Sequence, residues 1–328
     1  NDSNRVLVTV IPAPIVDIIT TNGRDTISVC EDGTLNLTAT LAGSATAISW
    51  SAISGSLSNT TGLTNVYTPT SGLTTNTLLD TIVINQTNNP GSCTIATDTL
   101  IVRTRRTVTL TTAADVTICE DETASLNATA AGFDDEVTWT VLYGTGSFGG
   151  NSTTVTQTGQ AAVYTPLPVA GLSRVDTILY QTVDPGGPCP GIERKMVVTV
   201  HAKPTVEADN PNVTNDTLFV CEGTPVSLNG SFDGGATGVT WTVINNTGTL
   251  TNPNTPTATY TPTGGVTGTQ RFDRLVITAQ TAGGNSCSPP ATDTLVVAIN
   301  QLPTLTNVTA DATICQSDPL ALTATAAG

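Results

Sequence analysis

The residues best placed to do covalent chemistry are seven cysteines: Cys30, Cys93, Cys119, Cys189, Cys221, Cys287 and Cys315. Four of them stand fourth in similar phrases: "ISVCEDGTLNLTAT", "VTICEDETASLNAT", "LFVCEGTPVSLNGS" and "ATICQSDPLALTAT". Cys93, Cys189 and Cys287 fall between these phrases. An early and a late cysteine per unit suggest three internal disulfides, Cys30–Cys93, Cys119–Cys189 and Cys221–Cys287. Such bonds imply an oxidising compartment and hence secretion. Spacing does not dictate connectivity, so a bridge between neighbouring units stays open. In the chain-entropy model, closing a loop of about 65 residues is worth roughly 4 kcal/mol. Metal chemistry fits poorly, because two soft ligands per unit and a single His, His201, do not make a zinc site.

Other chemistry is scarce. No Gly-x-Ser-x-Gly elbow and no phosphate-cradling loop occurs, and His201 in "VTVHAKP" reads as a solvated linker residue. The expectation is a chain that is not an enzyme. Acidic residues follow the early cysteines (Glu31-Asp32, Glu120-Asp121-Glu122, Glu222), and Asp134-Asp135-Glu136 precedes Trp139. They are candidate calcium ligands, but no Asp-x-Asp-x-Asp-Gly loop gathers them, so they read first as solvated turn acids and no cofactor is expected. A Lys–Asn isopeptide staple has no lysine to use in the first and third units. Asp-Thr-apolar tripeptides recur at Thr26, Thr81, Thr99, Thr177, Thr217 and Thr294, read as strand openings. Asn-x-Ser/Thr sequons at Asn59, Asn151 and Asn245 carry little weight in so Asn- and Thr-rich a chain.

The elements that must position these residues form a repeat. The early cysteines are spaced by 89, 102 and 94 residues, and Trp50, Trp139 and Trp241 each follow their cysteine by 20. Tyr67, Tyr164 and Tyr260 each open a Tyr-Thr-Pro. Strand-like runs follow ("DTIVINQT", "DTILYQTV", "DRLVITAQ"), then the late cysteine and a closing apolar run. The Trp–Tyr spacing is 25 in the second unit against 17 and 19, so Gly144 to Gln160 is a longer loop. "NRVLVTVIPAP" at the start resembles the closing runs, and the last phrase resembles an opening. The expected division is therefore 1–12, the last strand of a preceding repeat; 13–106, 107–203 and 204–302, three full repeats; and 303–328, the start of another. The partner of Cys315 is expected outside these residues.

Thr-, Val-, Asn- and Gly-rich composition suits strands and turns, and six or seven short strands in about 95 residues predict an antiparallel β-sandwich of immunoglobulin-like type. The whole is expected to be all-β, with tandem sandwiches joined end to end in a rod by Pro-marked linkers. One aromatic at a fixed place in each repeat reads as the core centre, so Trp50, Trp139, Trp241, Tyr67, Tyr164 and Tyr260 are expected inside. A net charge of −15 excludes nucleic acid as a partner. No apolar run reaches bilayer length, so no membrane insertion is expected of these residues.

The early Cys, the Trp, a "GTGTL"-like turn at Gly248, the Tyr-Thr-Pro and the late Cys together resemble immunoglobulin-like or PKD-like repeats. Such repeats build giant secreted surface adhesins of Bacteroidetes, and "WTVINNTGTLTNPNTPTATYTPTGG" carries the likeness most strongly. In architecture the chain is also similar to the grappling-hook filaments of predatory members of that group. The resemblance implies export by the type IX system, an extracellular, cell-surface location and a shaft or filament role. It implies copies of itself as lateral partners, and contact with another cell or a glycan through other parts of the protein. It also makes the Asp-Thr-apolar threonines candidate O-glycosylation sites. A binding module, with the 144–160 loop contacting glycans or a partner surface, is the alternative.

Overall fold

The computed structural model describes residues 5–20, 23–88, 91, 93–133, 135–149, 156–182, 187–210, 217–244, 248–284 and 287–327. All regular secondary structure among them is β-strand. The first repeat sets the plan. Strands β1 (Ile15–Ile19), β2 (Thr26–Cys30), β3 (Leu35–Ala42) and β4 (Ile48–Ala52) lead into β5 (Ser56–Leu57), β6 (Thr64–Thr68), β7 (Thr77–Gln86) and β8 (Thr97–Arg105). They form two sheets, ordered β1-β3-β6-β5 and β2-β8-β7-β4.

Period-two alternation aims each strand at the space between the sheets. Val16 and Ile18 of β1, Ile82 and Ile84 of β7, and Leu100 and Val102 of β8 meet there around Trp50 and Tyr67. The second core gathers Trp139, Tyr164 and Tyr180, with the Trp139 and Tyr180 rings stacked at 5.0 Å. The third centres on Trp241 and Tyr260. Each tryptophan spends its indole N–H on a backbone carbonyl, of Gly62 (2.6 Å), Gly159 (2.8 Å) and Pro256 (3.4 Å) respectively.

Pairing is antiparallel with one exception in every repeat. Strand β2 runs parallel to β8, with Thr26 opposite Ile101 and Cys30 opposite Arg105. Val116–Cys119 runs parallel to Glu193–His201, and Thr217–Cys221 to Thr292–Asn300. The ladder continues one residue further each time: Glu31, Glu120 and Glu222 donate their N–H to the carbonyls of Arg105, His201 and Asn300, each at 2.9 Å. The strand bearing the early cysteine is therefore an edge strand separate from the one that follows it in the opposite sheet.

The longer loop of the second repeat has a structural use. Thr156–Thr158 adds a fifth strand beside Val137–Tyr143, with Gln157 opposite Trp139. Residues 150–155 of that loop, and the sequons at Asn151 and Asn245, lie outside the described residues. At the chain start, residues 5–14 join no ladder among the described residues. Beyond Leu302, Thr304–Thr306 pairs with Thr325–Ala327, as Pro204–Glu207 pairs with Ser231–Gly234.

A buried Tyr–Asp pair locks each sandwich. The Tyr67 hydroxyl donates to Asp80 at 2.6 Å, and Tyr164 and Tyr260 donate to Asp176 and Asp273. Asp80 also accepts the N–H groups of Ile53, Ser54, Gly55 and Thr81. Arg174 and Arg271 add ion pairs to the other two. Burial alone would raise the Asp80 pKa, but the Tyr67 hydroxyl and the Gly55, Ser54 and Thr81 N–H groups outweigh it and hold it below the ordinary 3.8. Burial and the Asp80 carboxylate together push the Tyr67 phenol up. Folded Asp80 binds its proton more weakly than the unfolded chain does. Its contribution is complete above the unfolded pKa and lost as pH falls through the lower folded value. The resistance of the first repeat to urea should therefore fall below about pH 4. Tyr67→Phe should cost about 1–3 kcal/mol at pH 7 by leaving carboxylate lone pairs unmet, and should blunt that acid sensitivity.

Candidate functional site

The parallel edge strand decides where the cysteines can meet. Strand β2 ends at Cys30, level with the end of β8, whereas Cys93 lies in the hairpin before β8 begins. The eight residue steps from Thr97 to Arg105 separate those two ends by about 26 Å. A disulfide needs Cα atoms about 4.4–6.8 Å apart. Early and late cysteines of one repeat thus sit at opposite ends of the sandwich and do not pair. The early cysteine instead meets the late cysteine of the next repeat.

The bonds are Cys30–Cys189, with Cα atoms 5.0 Å apart, and Cys119–Cys287, at 4.8 Å. This corrects the expected internal pairs Cys30–Cys93, Cys119–Cys189 and Cys221–Cys287. Cys93, Cys221 and Cys315 carry no disulfide. The two junctions repeat each other in detail. The Cys189 sulfur lies 3.6 Å from the Arg105 and Arg106 carbonyl oxygens, and the Cys287 sulfur lies 3.6 and 3.4 Å from those of His201 and Ala202. Cys30 and Cys189 form a small core of their own with Val108, against which Ile192 packs.

The acid after each early cysteine holds the linker beside the bond. Glu31 accepts the N–H of Thr107 in the linker and of Leu73 in the loop after Tyr-Thr-Pro, both at 2.8 Å. Glu120 accepts from Lys203 (2.9 Å) and Val169 (2.6 Å). Glu222 accepts from Leu302 (3.2 Å), Gly265 (2.8 Å) and Val266 (3.0 Å). Partial burial would raise the Glu31 pKa, yet the Leu73 and Thr107 N–H groups bring it below its usual range. The Val266 and Leu302 N–H groups do the same for Glu222. These carboxylates act as linker clamps, not as the solvated turn acids the sequence suggested. Among the described residues, no group of three or more His, Cys, Asp and Glu is arranged to hold a metal ion.

On its other side the linker lies against glycine. Gly43, Gly132 and Gly234 all have positive φ, and a Cβ there would come within 1.9–2.3 Å of the carbonyl oxygens of Ala13, Thr107 and Lys203. Only a residue without a side chain fits such an approach. At the first junction the Arg105 guanidinium also covers the Phe133 ring, 4.1 Å from its centroid. Lys203 and Asp121 form an exposed ion pair across the second.

The remaining candidates fall elsewhere. His201 ends a strand, half-buried, with its carbonyl accepting from Glu120, so it is not a linker residue. The Asp-Thr-apolar motifs share a local device: Thr81, Thr99 and Thr294 donate their N–H to the preceding aspartate side chain at 2.7–2.8 Å. Asp98 and Asp293 also accept N–H groups from the facing sheet, of Ile18 and Ala208. The second repeat has Arg194 at that register, and it donates to the Leu110 carbonyl instead. Thr26 and Thr99 are exposed, and Thr81, Thr177, Thr217 and Thr294 are half-buried.

No family model matches this chain, and no curated protein matches it. Solved structures do. A three-domain structure of titin I67–I69, an E-to-A mutated variant, matches with TM-score 0.50 and 9% identity, over 90% of this chain and all of that one. A second titin I-band fragment, I67–I69, gives 0.47 and 9% over 89% and 97%. Mouse cadherin-23 EC22–24 gives 0.34 and 13% over 89% and 99%. The first likeness shows a fold of tandem immunoglobulin-like sandwiches.

Disulfide mapping of the non-reduced chain should recover Cys30 peptides joined to Cys189 and Cys119 peptides joined to Cys287. Peptides joining Cys30 to Cys93 would refute the junction.

Proposed function

We propose that the chain is a load-bearing shaft of an extracellular adhesin or filament, a rod of sandwiches whose junctions are stiffened by covalent bonds. The observation that carries this reading is the inter-repeat disulfide. A linker alone lets one sandwich swing on the next; a linker and a disulfide at separate points remove that freedom. In the chain-entropy model a loop spanning a separation of 159 residues is worth about 5 kcal/mol, more than an internal loop gives. Disulfides of this kind suit an oxidising, extracellular setting. The reading invokes no catalysis and no cofactor, since the repeated acids are spent on backbone N–H groups.

A second observation supports lateral packing of such shafts. Leu79, Val175 and Phe272 occupy equivalent outward positions, each just before the buried aspartate, and are 59%, 58% and 54% exposed. They stand on the solvent face of the sheet that carries the parallel edge strand. Among the outward residues of those strands, Glu193 is the one acid in a chain of net charge −15. Two copies meeting there would bury apolar side chains while keeping their acidic surfaces apart. Export through the type IX system, a Bacteroidetes origin and O-glycans at the exposed Thr26 and Thr99 are consistent with this reading and follow from the sequence resemblance.

Negative-stain electron microscopy tests the shaft directly. Angles between adjacent sandwiches should be narrowly distributed in the oxidised chain and clearly broader in the Cys30→Ser/Cys189→Ser variant, with unchanged tryptophan fluorescence. Equal distributions would remove the stiffening role.

A further inference from the structure

We propose that Cys93 and Cys221 are the two open halves of this same junction. Each is built to form a disulfide with the complementary cysteine of another sandwich of this kind. The bonded cysteines define the rule. Cys30 and Cys119 end the parallel edge strand, and each pairs with the hairpin cysteine of the following repeat. Cys221 ends the same strand in the third repeat, level with Asn300. Its neighbour Glu222 donates to the Asn300 carbonyl at 2.9 Å and clamps Leu302, as Glu31 and Glu120 do at the bonded junctions. Cys93 lies in the hairpin before the last strand of its repeat, as Cys189 and Cys287 do.

The cover of the edge-strand cysteines differs as the rule requires. Cys30 and Cys119, bonded, are 4% and 2% exposed. Cys221, with the same strand and clamp around it, is half-exposed. Among the hairpin cysteines cover does not discriminate, because bonded Cys287 is half-exposed as Cys93 is, and Cys93 is assigned by its place in the hairpin. At the first junction the missing cover is supplied by the next sandwich through Val108, Ile192 and the disulfide itself. The partner of Cys221 is thus a hairpin cysteine on the leading end of a sandwich. That of Cys93 is an edge-strand cysteine followed by an acid or amide, on the trailing end of one. Such a sandwich can belong to the same chain or to a second copy.

The chemistry is thiol–disulfide exchange with a small-molecule or oxidoreductase disulfide as oxidant. One protein thiolate attacks the carrier disulfide, forming a mixed disulfide and releasing one carrier thiol. The second protein thiolate attacks the protein sulfur of that mixed disulfide and releases the other. Two protein thiols are oxidised to one disulfide, and the carrier disulfide is reduced to two thiols.

This inference deepens the shaft reading and rests on it, but the two fail separately, because the microscopy concerns only Cys30 and Cys189. The test is to isolate the protein from its source without reductant, alkylate free thiols, and map the cysteine peptides. Cys221 should resist alkylation and appear joined to a hairpin-type cysteine, and Cys93 to one in a Cys-Glu or Cys-Gln phrase. Reduction that leaves the apparent mass unchanged places the partners in the same chain, and reduction that lowers it places them on separate chains. Alkylated Cys93 and Cys221, or bonds to cysteines of the same type, would overturn the proposal.

Discussion

The parallel pairing of the edge strand with the last strand of each sandwich is the constraint on which the rest depends. Antiparallel pairing would bring the early cysteine to the hairpin that holds the late one. Parallel pairing carries it to the other end of the sheet, where it faces the next repeat. The same step brings Glu31, Glu120 and Glu222 to the linker, each anchored by its own N–H on the last strand. Bond, clamp and linker converge because one short strand runs in that direction.

Within each sandwich the Tyr–Asp pair fixes the loop geometry that the clamp relies on. Asp80 gathers three successive N–H groups of the turn after Trp50 while bonding Tyr67, and Tyr67 starts the Tyr-Thr-Pro segment leading to Leu73. Leu73 is one of the two donors on Glu31. Core and junction are thereby linked through the chain segment from Tyr67 to Leu73, hydrogen-bonded to Asp80 at one end and to Glu31 at the other. Isolated surface acids contribute little; these acids matter because each accepts from two or three backbone groups that no strand partner could satisfy.

Much of this was legible in the sequence. The constant step of 20 from Cys to Trp, the Tyr-Thr-Pro and the alternating runs led to sandwiches with Trp50, Trp139 and Trp241 inside, where they are 3%, 0% and 1% exposed. The pairing of the cysteines was not legible, because strand direction at a sheet edge leaves no mark in a five-residue apolar run. The phrase "TISVC" followed at once by "EDGTLNLTAT" reads as one approach to a single strand, when it is two strands in opposite sheets. Glu31, Glu120 and Glu222 were noticed as acids, but their role depends on where the linker passes, which is settled only by the fold.

The claim that covalent bonds carry load across the junctions is tested most directly by pulling single molecules from both ends, with and without reductant. Cys30 and Cys287 are 257 residues apart, but the two overlapping disulfides leave as the shortest covalent route only the 70 residues between Cys119 and Cys189. At about 3.4 Å per extended residue, full unfolding should release a contour of about 240 Å between those points when oxidised and about 870 Å when reduced. An oxidised chain that extends as far as the reduced one would contradict the account.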